Sequence, residues 1–197
     1  MKAQLSTSLS DLILALVSYH GTWSLWQHNK MASVGLLIVA MAASCGTIRF
    51  YFNRPSERLI CLHTTLSWLG ATLGLPFVAV GYAQHNQTYI VAHANIAVPV
   101  AYFLSHKFLS GELRKKTAML VTGVAILSVL ILSTLKFNPY ALTGALAYVA
   151  SGAVGTDGLG PLDLPRVDWF HYLLVVGNVA FVLALSQRAE PVFYKKH

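Results

Sequence analysis

Charged residues are scarce in this sequence. Lysine, arginine, aspartate and glutamate together make up 11% of the 197 residues, and only 7 residues are acidic. A soluble domain carries about 25% charged residues, so this depletion argues against a soluble fold. Hydrophobic residues instead reach 55%, and apolar runs recur from one end of the chain to the other. The sequence therefore predicts an all-α integral membrane protein.

Several other features are missing. The cysteines Cys45 and Cys61 are too few for a disulfide framework, and no P-loop, HExxH or GxSxG motif is present. No long polar stretch could form a second core, so we expect a single transmembrane domain over residues 1–197. The net charge of +7 is carried by basic residues at the ends of apolar runs, a pattern typical of membrane orientation rather than of nucleic-acid binding.

The apolar runs divide into seven segments, each close to the length of about 20 residues that crosses a bilayer as a helix. The predicted spans cover residues 8–27, 31–52, 59–83, 88–107, 116–136, 138–154 and 167–187. The sixth segment is short and rich in glycine and alanine. It could instead be re-entrant, which would leave six spans.

Lysine and arginine indicate the orientation of the bundle. With seven spans, they are more numerous on the side that holds the N-terminus, although the basic tail with Lys195 and Lys196 lies on the other side. Because cytoplasmic loops are enriched in these residues, we expect a cytoplasmic N-terminus. The short loops and small size suit a bacterial inner membrane.

An odd number of spans would gather polar residues at one end of the bundle. The first, third and seventh helices would begin there, and the second would end there. These four helix ends carry Asp11, Ser44, Arg49, His63, Asp168 and His171. Ionisable residues at membrane depth usually face the protein interior and pair or bind a ligand, so this convergence predicts a site.

Each of these residues also has an ordinary structural explanation. Asp11 and Asp168 could be first-turn acids that interact with the helix dipole, and Arg49 could extend to lipid headgroups. Ser44 could be a small packing residue, and His63 and His171 could simply satisfy hydrogen bonds.

Helical spacing places further polar residues on shared faces. In the last segment one stripe combines Asp168, His171, Val175, Asn178 and Val182, and in the first segment Asp11 and Ser18 share a face. A polar stripe on a membrane helix must face protein or water rather than lipid. We therefore expect the first and last helices to turn these faces inward.

Three stretches carry a resemblance to a known superfamily. They are "SDLILALVS" in the first helix, "AASCGTIRF" in the second and "DWFHYLLVVGNVAF" in the seventh. Together with seven helices, they resemble the superfamily of alkaline ceramidases and progestin/adiponectin receptors. The resemblance implies a zinc-dependent intramembrane hydrolase of lipid amides or esters.

The sequence departs from the family pattern at the metal ligands. Ser44 matches the family serine and His171 matches the second histidine of the HxxxH pair, but the first histidine of that pair falls on Val167. The histidine expected after the serine is missing, and the third helix offers His63 where the family has an aspartate.

A rearranged zinc site would use His63, Asp168 and His171, which leaves one position for a water. Cys45 or Cys61 could replace a ligand. In this hypothesis Ser44, Arg49 and Asp11 are the catalytic residues. Ser44 stabilises the oxyanion and Arg49 holds a lipid phosphate.

Three functions therefore remain open at this point. The first is the zinc-dependent lipid hydrolase. The second is a non-catalytic relative that binds a lipid or a partner protein, with Arg49 paired to Asp11 or Asp168 in a buried network. The third is a small proton-coupled channel or transporter that uses the histidine and aspartate side chains as a relay. All three imply membrane lipids as neighbours, and none implies nucleic acid.

Overall fold

Residues 4–186 are described by a computed structural model, which leaves Lys2 and the basic tail outside the described part of the chain. Within residues 4–186 seven long helices form, which confirms the all-α prediction. They are α1 (Leu5–Leu25), α2 (Lys30–Tyr51), α3 (Glu57–His85), α4 (Tyr89–Ser105), α5 (Gly111–Leu135), α6 (Pro139–Val154) and α7 (Arg166–Ser186). Each begins and ends within about five residues of its predicted segment, as is usual for boundaries read from sequence.

Polar side chains fix where several helices begin. Ser56 accepts a hydrogen bond from the Leu59 amide at the start of α3, and Asn138 accepts one from the Ala141 amide at the start of α6. These N-caps satisfy backbone donors that the first helical turn leaves free. Helix α6 is followed by Gly155, whose positive φ of 69° is a conformation that glycine adopts readily.

The long helix α3 is irregular in its middle. Residues Gly70–Gly74 form a π-helical turn that lies just before Pro76. Proline has no backbone N–H, so it cannot donate to the Thr72 carbonyl four residues earlier. The widened turn accommodates this lost hydrogen bond, and such turns are frequent at functional sites.

Consecutive helices run antiparallel, while α1 and α7 lie side by side and run parallel. The start of α1 contacts the end of α2, where the Ser8 hydroxyl donates to the Thr47 carbonyl at 2.8 Å. At the opposite end, the Ser33 hydroxyl of α2 donates to the Thr22 carbonyl of α1. The starts of α1, α3 and α7 therefore lie at one end of the bundle together with the end of α2, as the sequence predicted.

Four of the seven helices are long and apolar enough to cross a membrane by themselves. They are α2, α3, α5 and α7. Helices α4 and α6 have 17 and 16 residues, which correspond to about 25 Å of helix against a hydrocarbon core of about 30 Å. The sixth segment forms a continuous helix, packed against α5 and α7.

Helix α1 exposes mainly apolar side chains and buries several polar ones. Its exposed face carries Leu5, Leu9, Leu12, Leu16 and Trp23. Its buried face carries Thr7, Ser8, Ser10, Asp11 and Ser18. This distribution is the reverse of a soluble amphipathic helix, and it is the one expected when lipid surrounds the bundle.

Asn29 links the start of α2 to the end of α3. Its side chain accepts from the Ala32 amide and donates to the Gly81 carbonyl at 2.8 Å. We expect Asn29→Ala to lower stability by about 2–3 kcal/mol, because both a cap and an interhelical hydrogen bond are lost. The matched variant Asn138→Ala removes a cap alone and should cost about 1 kcal/mol. Thermal unfolding in detergent measures both, and equal losses would contradict the interhelical role.

Candidate functional site

The site lies where α1 and α7 begin, and its centre is a pair formed by Asp11 and His171. The Oδ1 of Asp11 is 3.4 Å from Nε2 of His171. The Nδ1 of His171 is in turn 2.9 Å from the Ser10 hydroxyl. Asp11 is 1% exposed and His171 is 7% exposed, so both sit inside the bundle. The predicted convergence of these two helix starts is therefore present in the structure.

A second acid extends this cluster. Asp168 lies one turn before His171, is 1% exposed, and has its Oδ1 3.4 Å from the Ser10 hydroxyl. Within the described residues, Oδ2 of Asp11 and Oδ2 of Asp168 are buried without a hydrogen-bond partner. The cluster thus has more acceptor oxygens than the described residues supply with donors, and a buried acceptor without a donor is costly.

Gly46 of α2 makes room for the Asp11 carboxylate. A methyl group at Gly46 would overlap Oδ2 of Asp11, so only glycine permits this approach. The sequence reasoning identified neighbouring Ser44 and Arg49 but missed Gly46. A glycine among small residues signals close helix packing in general, but it does not indicate which side chain approaches.

Arg49 and His63 form a second polar pair beside the first. The Nη1 of Arg49 is 2.8 Å from Nδ1 of His63. A guanidinium group can only donate, so Nδ1 of His63 must accept, and its Nε2 therefore carries the ring proton. No direct ion pair of Arg49 with Asp11 or Asp168 forms among residues 4–186, although such a pairing was one prediction from the sequence.

Both polar pairs border a cavity of about 270 Å³. Asp11, His63 and His171 form its polar wall, a few hydroxyl side chains also line it, and the remaining lining is apolar. Apolar lining residues include Leu14, Val39, Ile126, Phe170 and Leu174. Ser67, Ala71 and Gly152 also line it and are exposed, so the cavity reaches the outer surface of the bundle between α3 and α6.

A deeper polar network extends inward from the cavity wall at Tyr148. The hydroxyl of Tyr148 donates to the Asn178 side chain at 2.6 Å, and the Asn178 amide donates to the Ser18 hydroxyl at 2.9 Å. Asn178 and Ser18 are fully buried, so the inward faces predicted for the first and last helices are confirmed. Tyr148 of α6 was not predicted, since nothing in the sequence links it to α7.

Ser44 lies outside the cluster. Its hydroxyl contacts the Tyr19 hydroxyl at 3.3 Å and donates to the Ala40 carbonyl at 2.8 Å. Ser44 is absent from the residues that line the cavity, so the structure does not bring it to Asp11 or His171. Cys61, one of the alternative ligands, is exposed, while Cys45 is half-buried.

The predicted zinc ligands do not assemble into a metal site. In the described part of the chain, no group of three or more histidine, cysteine, aspartate or glutamate side chains could hold a metal ion. His63 directs Nδ1 at the Arg49 guanidinium, while Asp168 and His171 surround Ser10. Since a catalytic zinc site needs three protein ligands, the arrangement of His63, Asp168 and His171 does not fit one.

Ser10, His171 and Asp11 resemble a serine–histidine–aspartate arrangement by their contacts alone. A nucleophile, however, must reach the substrate. Ser10 is 0% exposed and is absent from the cavity lining. The geometry therefore makes Ser10 a hydrogen-bonding residue behind the cavity wall.

Comparisons with known proteins support the membrane assignment. The chain is similar to human transmembrane protein 276, with 26% identity over 192 residues that cover 95% of this chain and 96% of the relative. The cattle and mouse proteins of the same name are each 27% identical over 94% and 96% of this chain. No family model matches the chain, and no solved structure matches it. The chain is a polytopic integral membrane protein.

Proposed function

We propose that this protein binds the hydrocarbon chain of a membrane lipid in the cavity between its helices, without catalysing a reaction. The observation that carries this proposal is the cavity itself. It is apolar along most of its wall, polar where Asp11, His63 and His171 lie, and open to the outer surface at Gly152. Ligand sites in proteins typically combine an apolar lining with a few polar groups that fix orientation.

The proposal includes seven membrane crossings with the polar end on the cytoplasmic side of a bacterial inner membrane. The alternating helix directions and the outward apolar face of α1 support seven crossings. The bilayer can thin locally around the shorter helices α4 and α6, or their flanking side chains can extend to the headgroup region. In this arrangement the opening between α3 and α6 faces lipid, so a chain can enter from the bilayer.

Binding is a better match to the geometry than hydrolysis. A hydrolase needs an activated nucleophile beside the scissile bond. Ser10 lies behind the wall, Ser44 lies elsewhere, and the candidate ligands do not form a three-ligand set. The polar residues at the cavity are instead engaged with one another, as in a preorganised binding site.

Intramembrane hydrolysis, which the resemblance to alkaline ceramidases implies, is a separate proposal with a direct test. Metal analysis of the purified protein should find no stoichiometric zinc if the protein only binds lipid. Stoichiometric zinc that disappears in a His171→Ala variant would instead favour the hydrolase.

Gly152 offers a direct test of binding. It lines the cavity, and no heavy atom lies within 4 Å of a methyl group placed there, so Gly152→Leu should fill the entrance without disturbing the fold. We expect photo-crosslinking of a diazirine-bearing hexadecanol to fall roughly tenfold, equivalent to about 1.4 kcal/mol. Peptide mapping should place the crosslinks of the unmodified chain on cavity-lining residues.

Gly123→Leu is the matched control. Gly123 of α5 also has open space around it, but it is not among the cavity-lining residues. Labelling of this variant should equal that of the unmodified chain. Equal labelling of the Gly152→Leu variant, or crosslinks confined to outward-facing residues, would refute binding in the cavity.

A further inference from the structure

The polar wall of the cavity indicates which lipid headgroup fits there. We propose that the bound lipid carries a neutral hydroxyl headgroup, which donates to Asp11 and accepts from His63. This inference rests on the proposed function, because it assigns the polar end of the same cavity.

Asp11 supplies the acceptor. Its side chain lines the cavity and is 1% exposed, its Oδ1 faces His171, and its Oδ2 has no hydrogen-bond partner among residues 4–186. A carboxyl group offers about four lone-pair positions, and the described residues supply few donors. A ligand hydroxyl that reaches this carboxyl group from the cavity would bring it a further donor.

His63 supplies the donor. It lines the same cavity, and its Nδ1 is occupied by the Arg49 guanidinium at 2.8 Å. The remaining ring nitrogen, Nε2, carries the proton and can only donate in this tautomer. The polar wall therefore presents an acceptor at Asp11 and a donor at His63, a combination that a single hydroxyl group satisfies in both directions.

The charges around the cavity disfavour an anionic headgroup. The ionisable side chains of the two polar pairs and of their neighbour Asp168 are Asp11, Asp168, His63, His171 and Arg49. Arg49 is the cation among them, but it contacts His63 and is not part of the cavity lining. A carboxylate or phosphate would thus reach no cation directly at the cavity wall, and burying an anion without a paired cation is costly.

A cationic headgroup is also a poorer match. An ammonium group can donate to Asp11, but it has no lone pair to accept a hydrogen bond from Nε2 of His63. That donor would then remain unsatisfied once the headgroup had displaced water. A hydroxyl group leaves neither partner unsatisfied.

Three probes with the same chain and photoreactive position separate these possibilities. The full-length protein in phosphatidylcholine nanodiscs is irradiated with diazirine-bearing hexadecanol, hexadecanoic acid or hexadecylamine. Crosslinks are then counted on cavity-lining peptides. We expect labelling by the alcohol to be about tenfold higher than labelling by the acid. It should also be severalfold higher than labelling by the amine. The Gly152→Leu variant should reduce labelling by the alcohol most.

Two variants assign the roles of the polar residues. Asp11→Asn keeps the size but adds an amide donor, and should bring labelling by the acid to within about twofold of labelling by the alcohol. His63→Phe removes the donor, and should abolish the preference for the alcohol over the amine. His63 is only half-buried, so this variant remains informative if Asp11→Asn does not fold.

The outcomes distinguish the headgroup from the binding itself. Equal labelling of the cavity by all three probes in the unmodified chain, or preference for the acid, would overturn the hydroxyl assignment but leave lipid binding intact. Absence of cavity crosslinks with every probe would overturn the proposed function, and the headgroup assignment with it.

Discussion

Removal of the His171 imidazole is expected to destabilise the protein by about 3–5 kcal/mol, because two buried polar partners lose their contacts and a cavity replaces the ring. His171→Ala leaves Oδ1 of Asp11 and the Ser10 hydroxyl without their contacts at 3.4 and 2.9 Å. It also adds a void beside two buried acids. Thermal unfolding in detergent, followed by fluorescence-detected size-exclusion chromatography, measures the loss.

His93→Ala is the matched control, because His93 of α4 is exposed and its removal should change stability by no more than about 0.5 kcal/mol. The double variant Asp11→Asn/His171→Ala tests the coupling between the pair. It should be more stable than the sum of the single effects predicts, by about 1 kcal/mol or more. A His171→Ala variant as stable as His93→Ala would show that the pair contributes nothing.

Gly35→Ala is expected to have the second largest effect, at about 3 kcal/mol. A methyl group at Gly35 of α2 would overlap the Gly74 carbonyl oxygen and lie 3.1 Å from the Val78 amide nitrogen of α3. These are backbone atoms, which cannot rotate away, so α2 and α3 must separate. Overpacking of this kind typically costs 1–3 kcal/mol, and the upper end applies because the π-helical turn lies at the contact.

Gly123→Ala controls for the change in helix propensity. Gly123 meets no atom within 4 Å, so the added methyl group should be neutral or stabilise α5 by about 0.5–1 kcal/mol. The melting temperature of detergent-solubilised protein compares the two variants. Equal stability of the Gly35→Ala and Gly123→Ala variants would contradict the close contact between α2 and α3.

Much of the fold follows from the sequence because a lipid environment simplifies the hydropathy pattern of the chain. Apolar runs separated by short polar loops predicted the seven helices, and the polar stripes predicted the inward faces of α1 and α7. Asp11, Asp168, His171 and Asn178 are all buried where that pattern placed them. Crossing by α4 and α6 is harder to predict, since 17 and 16 residues lie below the length that spans an average bilayer.

The partners within the site were less predictable, because contacts between helices depend on rotation and depth. The sequence could not show that Arg49 would meet His63 rather than Asp11, nor that Ser44 would face Tyr19. Gly46 and Tyr148 carry no local signal for the side chains that they contact. A difference of one residue in position rotates a helix face by about 100°, which is enough to exchange one partner for another.

The most direct test of lipid binding is native mass spectrometry of the full-length protein released from lipid nanodiscs. The unmodified chain should retain one lipid adduct under conditions that strip outer lipids, the Gly123→Leu variant should retain it too, and the Gly152→Leu variant should lose it. Adducts of equal abundance in the two leucine variants, or no retained lipid in the unmodified chain, would contradict a lipid bound inside the bundle.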